Sequence, residues 1–549
     1  MAIELARLRG RKQVAWLRDA PPEEARRALE EREYLVTQCT DDELQDPAYL
    51  SGLSAVIFTQ SDAKPLHITR DLENHARQLL DYDCRIILRS TTTGARSLAN
   101  KLNELKLPVA GLPLQEAEKL RAWQNPEDGD PPLPYAKYFA DSAPWSRVAN
   151  FISECPPSAA PNRTLNITID DCVDTEGKRH KVILTEQWKL LLQRAFADCS
   201  DLHLSPLDGG RSGVSVYRAC AELKGGLHGQ WPQPHFVKIG DRRKIFAEYE
   251  NYEGNVDPYV PFHLGPHLVR DRCCLGATEG VIVGDYVEES ESLRYCAYDG
   301  RSASAIACLF DRTLLGWHRQ AHTVGVSLSD GLFRRFPRRI ADHRMQRALQ
   351  LGATRKIDEL RALFKLCTST PVLVGPIHGD LHAANVRVRA TDAIVIDFFA
   401  HRKDYPLLFD AACLEASLVV EGFSSDDRNA AELLKSLEPL YDHAPLDCTV
   451  TQTNPKNRSF WFHASVQQIR RYARQWECGP NQYAAALALA LLIKATKDWD
   501  APEPEASRRA AAYVLAERVL LKTFGAVGST ATADTPTAAT EPGPTAAAS

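Results

Sequence analysis

The sequence predicts a multidomain chain, α/β followed by α+β: an N-terminal parallel β-sheet, then a bilobal unit whose second lobe is mainly helical. Three observations lead there. Over the first 120 or so residues, near-continuous apolar runs alternate with helical segments, the pattern of strands covered on both faces. A Pro/acidic stretch, NPEDGDPPLP at 125–134, then breaks the chain. Beyond it, a strand–Gly-rich turn–strand pattern at 202–221 precedes a His/Asp/Asn-rich stretch at 378–397 set between apolar runs.

Bulk properties narrow the function. At 549 residues the chain has room for roughly three or four folding units of about 150 residues. With 44% hydrophobic and 25% charged residues it has the make-up of a globular protein. A formal charge of −5 supplies no global basic field, so neither nucleic acid nor an anionic membrane is an expected partner. The 14 cysteines show no CxxC pair and no Cys/His cluster of zinc type. MAIELARLRGRKQ lacks the apolar stretch of a secretory signal, and the Ala/Leu run from Tyr483 to Ile493 is too short to span a bilayer. Reduced thiols and a cytoplasmic location are the expectation.

In the first segment, 1–125, QVAWLRD (13–19), EYLVTQC (33–39), SAVIFTQ (54–60), CRIILRS (84–90) and LPVAG (107–111) read as strands. PEEARRALEER, the segment around His75–Leu80 and ARSLANKLNELK read as the helices between them. The layout resembles a flavodoxin-like or receiver domain. The resemblance implies a phosphoacceptor carboxylate at the end of the third strand. Here that strand ends Phe58-Thr59-Gln60, which implies a degenerate module that binds a protein partner. Asp19 and Glu23 could mimic a metal pocket, but a solvated loop and a helix N-terminus explain them better. Residues 126–200 read as linker and connecting elements, with a second break at CPPSAAPN (155–162). A helix between Thr185 and Cys199 has Thr185 as N-cap and places Trp188, Leu191, Leu192 and Phe196 on one side.

The stretch VLVGPIHGDLHAANVRVRATDAIVIDFF, 372–399, carries the chemistry. Phosphoryl transfer needs a carboxylate to orient and deprotonate the attacking hydroxyl, and metal ions to neutralise the triphosphate. Asp380 sits in a loop after an apolar run, Asn385 follows five positions later, and the strand AIVI delivers Asp397. Oxygen ligands of this kind suit Mg²⁺. HGDLHAANV followed by VIDF resembles the catalytic loop and metal-binding Asp of aminoglycoside phosphotransferases, choline kinases and related protein-kinase-like enzymes. The resemblance implies Asp380 as catalytic base, Asn385 and Asp397 as Mg²⁺ ligands, His378 and His382 as loop supports, and Asp410 as the carboxylate that opens the next helix and braces the loop.

Such a fold requires an earlier nucleotide lobe, placed at 201–287. In LHLSPLDGGRSGVSVYRACA, Gly209, Gly210 and Gly213, with Ser212 at the tip, would let backbone N–H groups approach phosphates. Lys238, between Val237 and Ile239, is placed to pair the α/β-phosphates of ATP. The next helix carries the stripe Ile245, Tyr249, Tyr252 and Val256. Glu248 lies about 60° from that stripe on a helical wheel, whereas Glu250 points away, so Glu248 is the expected partner of Lys238 ahead of Glu250 and Glu253. GVIVGDYVEES (280–290) resembles the strand and hinge of these enzymes, implying that the backbone of Gly284, Asp285 and Tyr286 meets the adenine edge.

The larger lobe is placed at 288–525 and a disordered Ala/Thr/Pro-rich tail at 526–549. Gly379 stands where protein kinases carry Arg, Phe399 replaces the Gly of Asp-Phe-Gly, and no Ala-Pro-Glu follows. The resemblance therefore implies a small-molecule acceptor hydroxyl and ATP with Mg²⁺. Arg470 and Arg471 read as a solvated helix face that could alternatively touch an anionic substrate. The acidic start of the lobe, Glu288, Glu289 and Glu291, suits a cationic acceptor and equally a solvated turn. A rival reading is a catalytically weak nucleotide-binding scaffold or sensor, because a receiver-like module fused to a kinase-like domain also resembles bacterial signalling and conflict-system proteins, including the ternary-complex-associated class.

Overall fold

The computed structural model describes residues 11–17, 20–60, 67–90, 109–110, 136–154, 157–173, 179–207, 214–224, 234–420, 430–441, 462–496 and 505–530. They fall into two compact units, Met1–Glu250 with His267–Tyr286, and Asn251–Pro266 with Val287–Ser549.

The first unit contains two sheets. Strands β1 (Gln13–Leu17), β2 (Leu35–Cys39), β3 (Leu53–Gln60), β4 (Arg85–Ser90), β5 (Val109–Ala110) and β6 (Ala136–Ala140) form a six-stranded sheet in the order β2-β1-β3-β4-β6-β5. Every pairing is parallel. Alternate side chains feed two cores, as the two-residue strand period requires. Val14, Trp16, Ala55, Ile57 and Ile87 pack with Ala25 and Leu29 of the helix Glu23–Glu30 and with Val148, Ala149, Phe151 and Ile152 of the helix Trp145–Glu154. Ala15, Leu17, Val56, Phe58, Ile86 and Leu88 pack on the other face with Ala76, Leu79 and Leu80 of the helix His67–Asp81.

The parallel sheet matches the sequence expectation, but its order departs from the flavodoxin-like 2-1-3-4-5. Strand β6 lies between β4 and β5, in a segment expected to be linker. Its Tyr138 joins one core and its Phe139 the other, so this alternation draws the chain back into the sheet after the Pro-rich break. The sheet therefore extends beyond residue 125. The expected helix at 95–106 and the linker at 125–134 lie outside the described residues.

The second sheet follows. It uses β7 (Asn166–Ile169) and, after the short pair β8 (Cys172–Val173) and β9 (Arg179–His180), the strands β10 (Cys199–Pro206), β11 (Ser215–Leu223), β12 (His235–Asp241), β13 (Cys274–Leu275) and β14 (Glu279–Asp285). Its order is β13-β14-β12-β11-β10-β7, antiparallel except for β7 beside β10. The helix Glu186–Ala195 begins where Thr185 Oγ1 accepts from the Trp188 N–H at 3.1 Å, as expected of an N-cap. Its Leu191 and Leu192 enter a core with Phe196, Leu204, Val237, Ile239, Val281 and Val283.

A buried polar network fastens the two sheets of this unit together. Asp83 accepts from Arg85 Nη1 at 2.6 Å and from the Ser158 N–H, with Arg194 Nη2 at 3.5 Å. Burial alone would raise this carboxyl; Arg85 and Arg194 outweigh it and hold the group at about 2. Arg194 Nη1 donates to the carbonyls of Asp81 (2.6 Å) and Leu275 (2.9 Å). Asp81 Oδ1 accepts from the Ala277 N–H at 2.8 Å and from Gln187 Nε2 at 3.0 Å. Arg11 donates to the carbonyls of Tyr82 and Ala159.

In the second unit, β15 (Glu291–Ser292), β16 (His322–Val324), β17 (Val372–Ile377), β18 (Val386–Arg389), β19 (Asp392–Val395) and β20 (Arg402–Pro406) form two small antiparallel sheets, β15-β18-β19 and β16-β17-β20. The rest is mainly helical. The helix Leu408–Val420 is buried along its whole length, which is why it lacks an amphipathic stripe; Gln482–Thr496 is nearly so. Helix Glu505–Thr530 runs past residue 525, where the tail was expected to begin; 531–549 lie outside the described residues. No helix among the described residues is long and apolar enough to cross a membrane.

Arg470 is neither solvated nor substrate-facing. It is 1% exposed, and its Nη2 and Nε contact Glu415 at 2.7 and 3.1 Å. Tyr441 and Tyr483 donate to the same carboxylate at 2.8 and 2.7 Å, and Arg470 Nη1 donates to the Leu440 carbonyl. A buried ion pair satisfied on all sides is a structural element. Arg471 is exposed and donates to Gln468.

Candidate active site

In the first unit, β12 carries Lys238 between β11 and β14, opposite Val216 and Ile282. Its side chain is enclosed, and Nζ lies 2.5 Å from Glu248 Oε2 on the helix Arg242–Asn251. Both residues are 8% exposed. The expected pair therefore forms, because about two helical turns after the strand Glu248 comes round to the face that covers it. Strands β10 and β11 make the expected hairpin, with Pro206 opposite Tyr217. Gly209, Gly210, Ser212 and Gly213 lie outside the described residues, as does Asp19. Glu23 is an exposed first-turn carboxylate.

The expected hinge differs in its donors. Asp285 N–H donates to the His267 carbonyl at 2.8 Å, and Tyr286 N–H donates to the Pro234 carbonyl at 3.1 Å. Both groups are taken up within the unit, so an adenine edge would meet the carbonyls of this segment rather than those two N–H groups. A Cβ on Gly284 would collide with the Phe236 ring, which accounts for glycine there.

In the second unit, β17 leads into His378-Gly379-Asp380, β18 and β19 form a hairpin, and Asp397 follows two residues after β19. The loop is held from three directions. Asp410, in the first turn of Leu408–Val420, accepts from the N–H groups of His378 at 2.7 Å and Gly379 at 2.9 Å. Burial pushes its carboxyl up, offset in part by His378. His378 Nε2 lies 3.0 Å from the Ile396 carbonyl, tying the loop to the chain just before Asp397. Ser417 Oγ accepts from the Ala383 N–H at 2.9 Å. Gly379 has φ +80, and a Cβ there would collide with the Ala400 carbonyl oxygen, so glycine is required at this position.

Asn385 is tied to Asp380 and to Ile396, the residue before Asp397. Its side-chain NH₂ donates to the Asp380 carbonyl at 3.2 Å, and its own carbonyl accepts from the Ile396 N–H at 2.9 Å. That leaves Oδ1 as the atom to present to a cation. Asp397 adopts φ +67, a left-handed conformation that an Asp tolerates better than most residues and that recurs at functional sites. Asp380 and Asp397 are half-buried and Asn385 is buried. His382 contributes its carbonyl, which accepts from the Asn385 N–H at 2.8 Å. Phe398 is buried and packs on His378, Trp317 and Tyr252.

Two supports went unread in the sequence. Ser417 stands seven residues after Asp410, two turns along the same helix face, a spacing that could have pointed to it. His401 is buried against Trp317 at 4.9 Å; burial and the neighbouring His378 hold its imidazole down at about 3, so it is neutral. No local pattern signals it.

Among the described residues no group of three or more His, Cys, Asp or Glu is placed to hold a metal alone. One carboxylate with one amide oxygen, Asp397 with Asn385, nevertheless fits Mg²⁺, which takes its remaining ligands from water and substrate phosphates.

No family model and no curated protein matches the chain. Solved structures do. An amicoumacin kinase, hAmiN, in complex with AMP-PNP and Ca²⁺ is 13% identical with a TM-score of 0.34, over 58% of this chain and 88% of its own. An aminoglycoside phosphotransferase, a thermostable mutant of APH(4)-Ia in ternary complex with AMP-PNP and hygromycin B, is 12% identical with a TM-score of 0.35, over 61% and 98%. The choline kinase LicA from Streptococcus pneumoniae is 13% identical with a TM-score of 0.31, over 58% and 93%. At TM-scores of this size none of these likenesses carries an argument about function.

Proposed function

We propose that the chain is a phosphotransferase of protein-kinase-like fold that moves the γ-phosphoryl group of Mg²⁺-bound ATP to a hydroxyl on a small molecule. The observation that carries the reading is the loop Asp380–Asn385 and its lock: two backbone N–H groups on Asp410, His378 on the Ile396 carbonyl, and Asn385 on Asp380. Catalysis of this reaction is mostly positioning and charge stabilisation, and this lock serves positioning. In this reading Asp380 orients the acceptor hydroxyl and takes its proton. Asn385 Oδ1 and the Asp397 carboxylate hold Mg²⁺, which when bound neutralises charge on the triphosphate. Lys238, kept in place by Glu248, pairs the α/β-phosphates, and the carbonyls near Asp285 and Tyr286 face the adenine. The Gly209–Gly213 turn would cover the phosphates. Residues 201–287 supply the nucleotide lobe and those from 288 the acceptor lobe.

The test is ADP release by the full chain with Mg·ATP and a panel of hydroxyl compounds. Asp380→Asn should abolish turnover and leave calorimetric Mg·ATP binding within about threefold. Asp397→Asn should weaken Mg·ATP binding by at least about tenfold, a loss of roughly 1.4 kcal/mol. Undiminished turnover in Asp380→Asn would refute the assignment, and tight nucleotide binding without turnover on any acceptor would favour a nucleotide sensor.

A further inference from the structure

Asp397 holds a backbone conformation, φ +67, that a residue with a side chain keeps only where its surroundings over-determine it. Ile396, just before it, is held by Asn385 and His378. The residues just after it are held by a side chain that the transfer chemistry leaves unused. Asn251 ends the helix Arg242–Asn251 and belongs to the second unit. Its Nδ2 donates to the carbonyls of Phe398 at 3.1 Å and Phe399 at 3.4 Å. Its Oδ1 accepts from Asn255 Nδ2 at 3.5 Å, which turns the amide so that its donors face those carbonyls.

Asn251 is followed by an irregular piece of helix. Tyr252–Val256 is a π-helical turn, closed by the Asp257 N–H on the Tyr252 carbonyl at 2.9 Å. The wider turn takes the Asn255 carbonyl out of the helical ladder: the Tyr259 N–H, its partner in a regular α-helix, bonds to the Val256 carbonyl instead. Trp317 Nε1 donates to the Asn255 carbonyl at 2.6 Å and so meets the acceptor that the turn released. The Trp317 ring in turn packs on Phe398 and His401.

A second π-helical turn, Leu309–Thr313, is closed by the Leu314 N–H on the Leu309 carbonyl at 2.9 Å and grips the strand that leads to Asp397. Thr313 is fully buried, and its Oγ1 donates to the Ala393 carbonyl at 2.6 Å. The Ala393 N–H donates to Cys308 Sγ at 3.4 Å, and Arg312 pairs with Asp392 at 3.3 Å. The two turns are braced against each other, since a Cβ on Gly316 would collide with the Tyr259 carbonyl oxygen. Turns of this kind are rare and gather at functional sites. Here one holds each end of the segment 392–399.

We propose that Asn251 is the positioning residue that sets Asp397 for its metal, with Thr313 fixing the strand behind it. This rests on the phosphotransferase reading and adds how the metal ligand is kept in place. Mg²⁺ demands near-ideal octahedral geometry, so a small swing of the Asp397 carboxylate weakens the metal more than it weakens a nucleotide held by other groups. Asn251→Asp keeps the shape of the side chain and turns an acceptor toward two carbonyls, whereas Asn251→Gln keeps the donor.

The experiment measures ATP binding to the full chain by calorimetry, once with Mg²⁺ and once in EDTA. Loss of a group that orients a metal ligand costs about 10–100-fold in metal affinity. Asn251→Asp and Asn251→Ala should therefore weaken Mg·ATP binding at least about tenfold and metal-free ATP binding less than about twofold. Asn251→Gln should return Mg·ATP binding to within about threefold of the parent, and Thr313→Val should weaken it at least about threefold. Equal losses with and without Mg²⁺, which a merely structural role would give, overturn the assignment, as does a Gln variant as weak as the Ala variant. The unmodified chain supplies a check that needs no variant. Because Asp397 is set before the metal arrives, hydrogen exchange over 396–402 should differ by less than about threefold with and without Mg·AMP-PNP; protection that appears only with the nucleotide overturns the assignment too. A parent that binds ATP no better with Mg²⁺ than in EDTA refutes the phosphotransferase reading, and the assignment falls with it. A parent that binds Mg·ATP tightly while all three Asn251 variants do the same keeps the phosphotransferase and removes Asn251 from it.

Discussion

Replacing Asp410 by alanine removes the acceptor of two buried backbone donors, the N–H groups of His378 and Gly379 at 2.7 and 2.9 Å. Leaving a buried donor without an acceptor costs about 1–3 kcal/mol, so the closed loop should lose about 2–6 kcal/mol relative to an opened one. The lower figure raises the opening equilibrium by about 30-fold, since 1.4 kcal/mol is tenfold. Asp410→Asn keeps one carbonyl oxygen and turns an NH₂ toward the second donor, so it should show about half that loss. The assay is native-state hydrogen exchange on peptides covering 376–386, which reads local opening directly and does not depend on turnover. In Asp410→Ala, exchange there should rise at least 30-fold at unchanged protection in the parallel sheet of the first unit. Exchange within about threefold of the parent would refute the idea that this carboxylate holds the loop.

Three further outcomes are expected. Lys238→Met deprives the buried Glu248 of the ammonium at 2.5 Å, which should cost up to about 3–5 kcal/mol in urea unfolding, while Lys238→Met/Glu248→Leu should recover most of it; a single variant as stable as the parent would sink this. His401 and His318 are held neutral by burial, at about 3 and about 4, whereas an unfolded chain protonates both near 6.5. Stability should thus be full above pH 6.5 and fall as pH drops from 6.5 toward 4, by up to about 1.4 kcal/mol per pH unit for each group; a flat profile between pH 6.5 and 4.5, or an unaltered slope in His401→Phe, contradicts it. Gly379→Ala forces a side chain into φ +80 and onto the Ala400 carbonyl; strain of roughly 1–3 kcal/mol should lower the melting temperature measurably, and a parental value would show that the turn relaxes freely.

What the sequence disclosed was mostly local. Glu248 could be picked over Glu250 because both sit on one helix, where a 100° rotation per residue separates them. Thr185 was legible as a cap from its neighbours alone, and a short motif singled out Asp380, Asn385 and Asp397 as candidates. Features that depend on distant segments were not. Arg470 looked solvated because its partners Glu415 and Tyr441 are 55 and about 30 residues away and no pattern joins them. The donors of Asp285 and Tyr286 looked available because the carbonyls that accept them, from His267 and Pro234, come from other strands and turns. Strand β6 was hidden by the Pro/acidic stretch before it, which reads as an exit from the sheet although Tyr138 and Phe139 re-enter both of its cores.

The arginine–aspartate network in the first unit has a practical consequence for anyone trimming the protein. A shortened version beginning after the parallel sheet would deprive the Ala277 N–H and Gln187 of Asp81, and would leave Arg194, fully enclosed in the intact chain, with its main counter-charge gone. Such a truncate should misfold or precipitate, and its inactivity would say nothing about catalysis. The N-terminal sheet is part of the foundation on which the strand bearing Lys238 is laid.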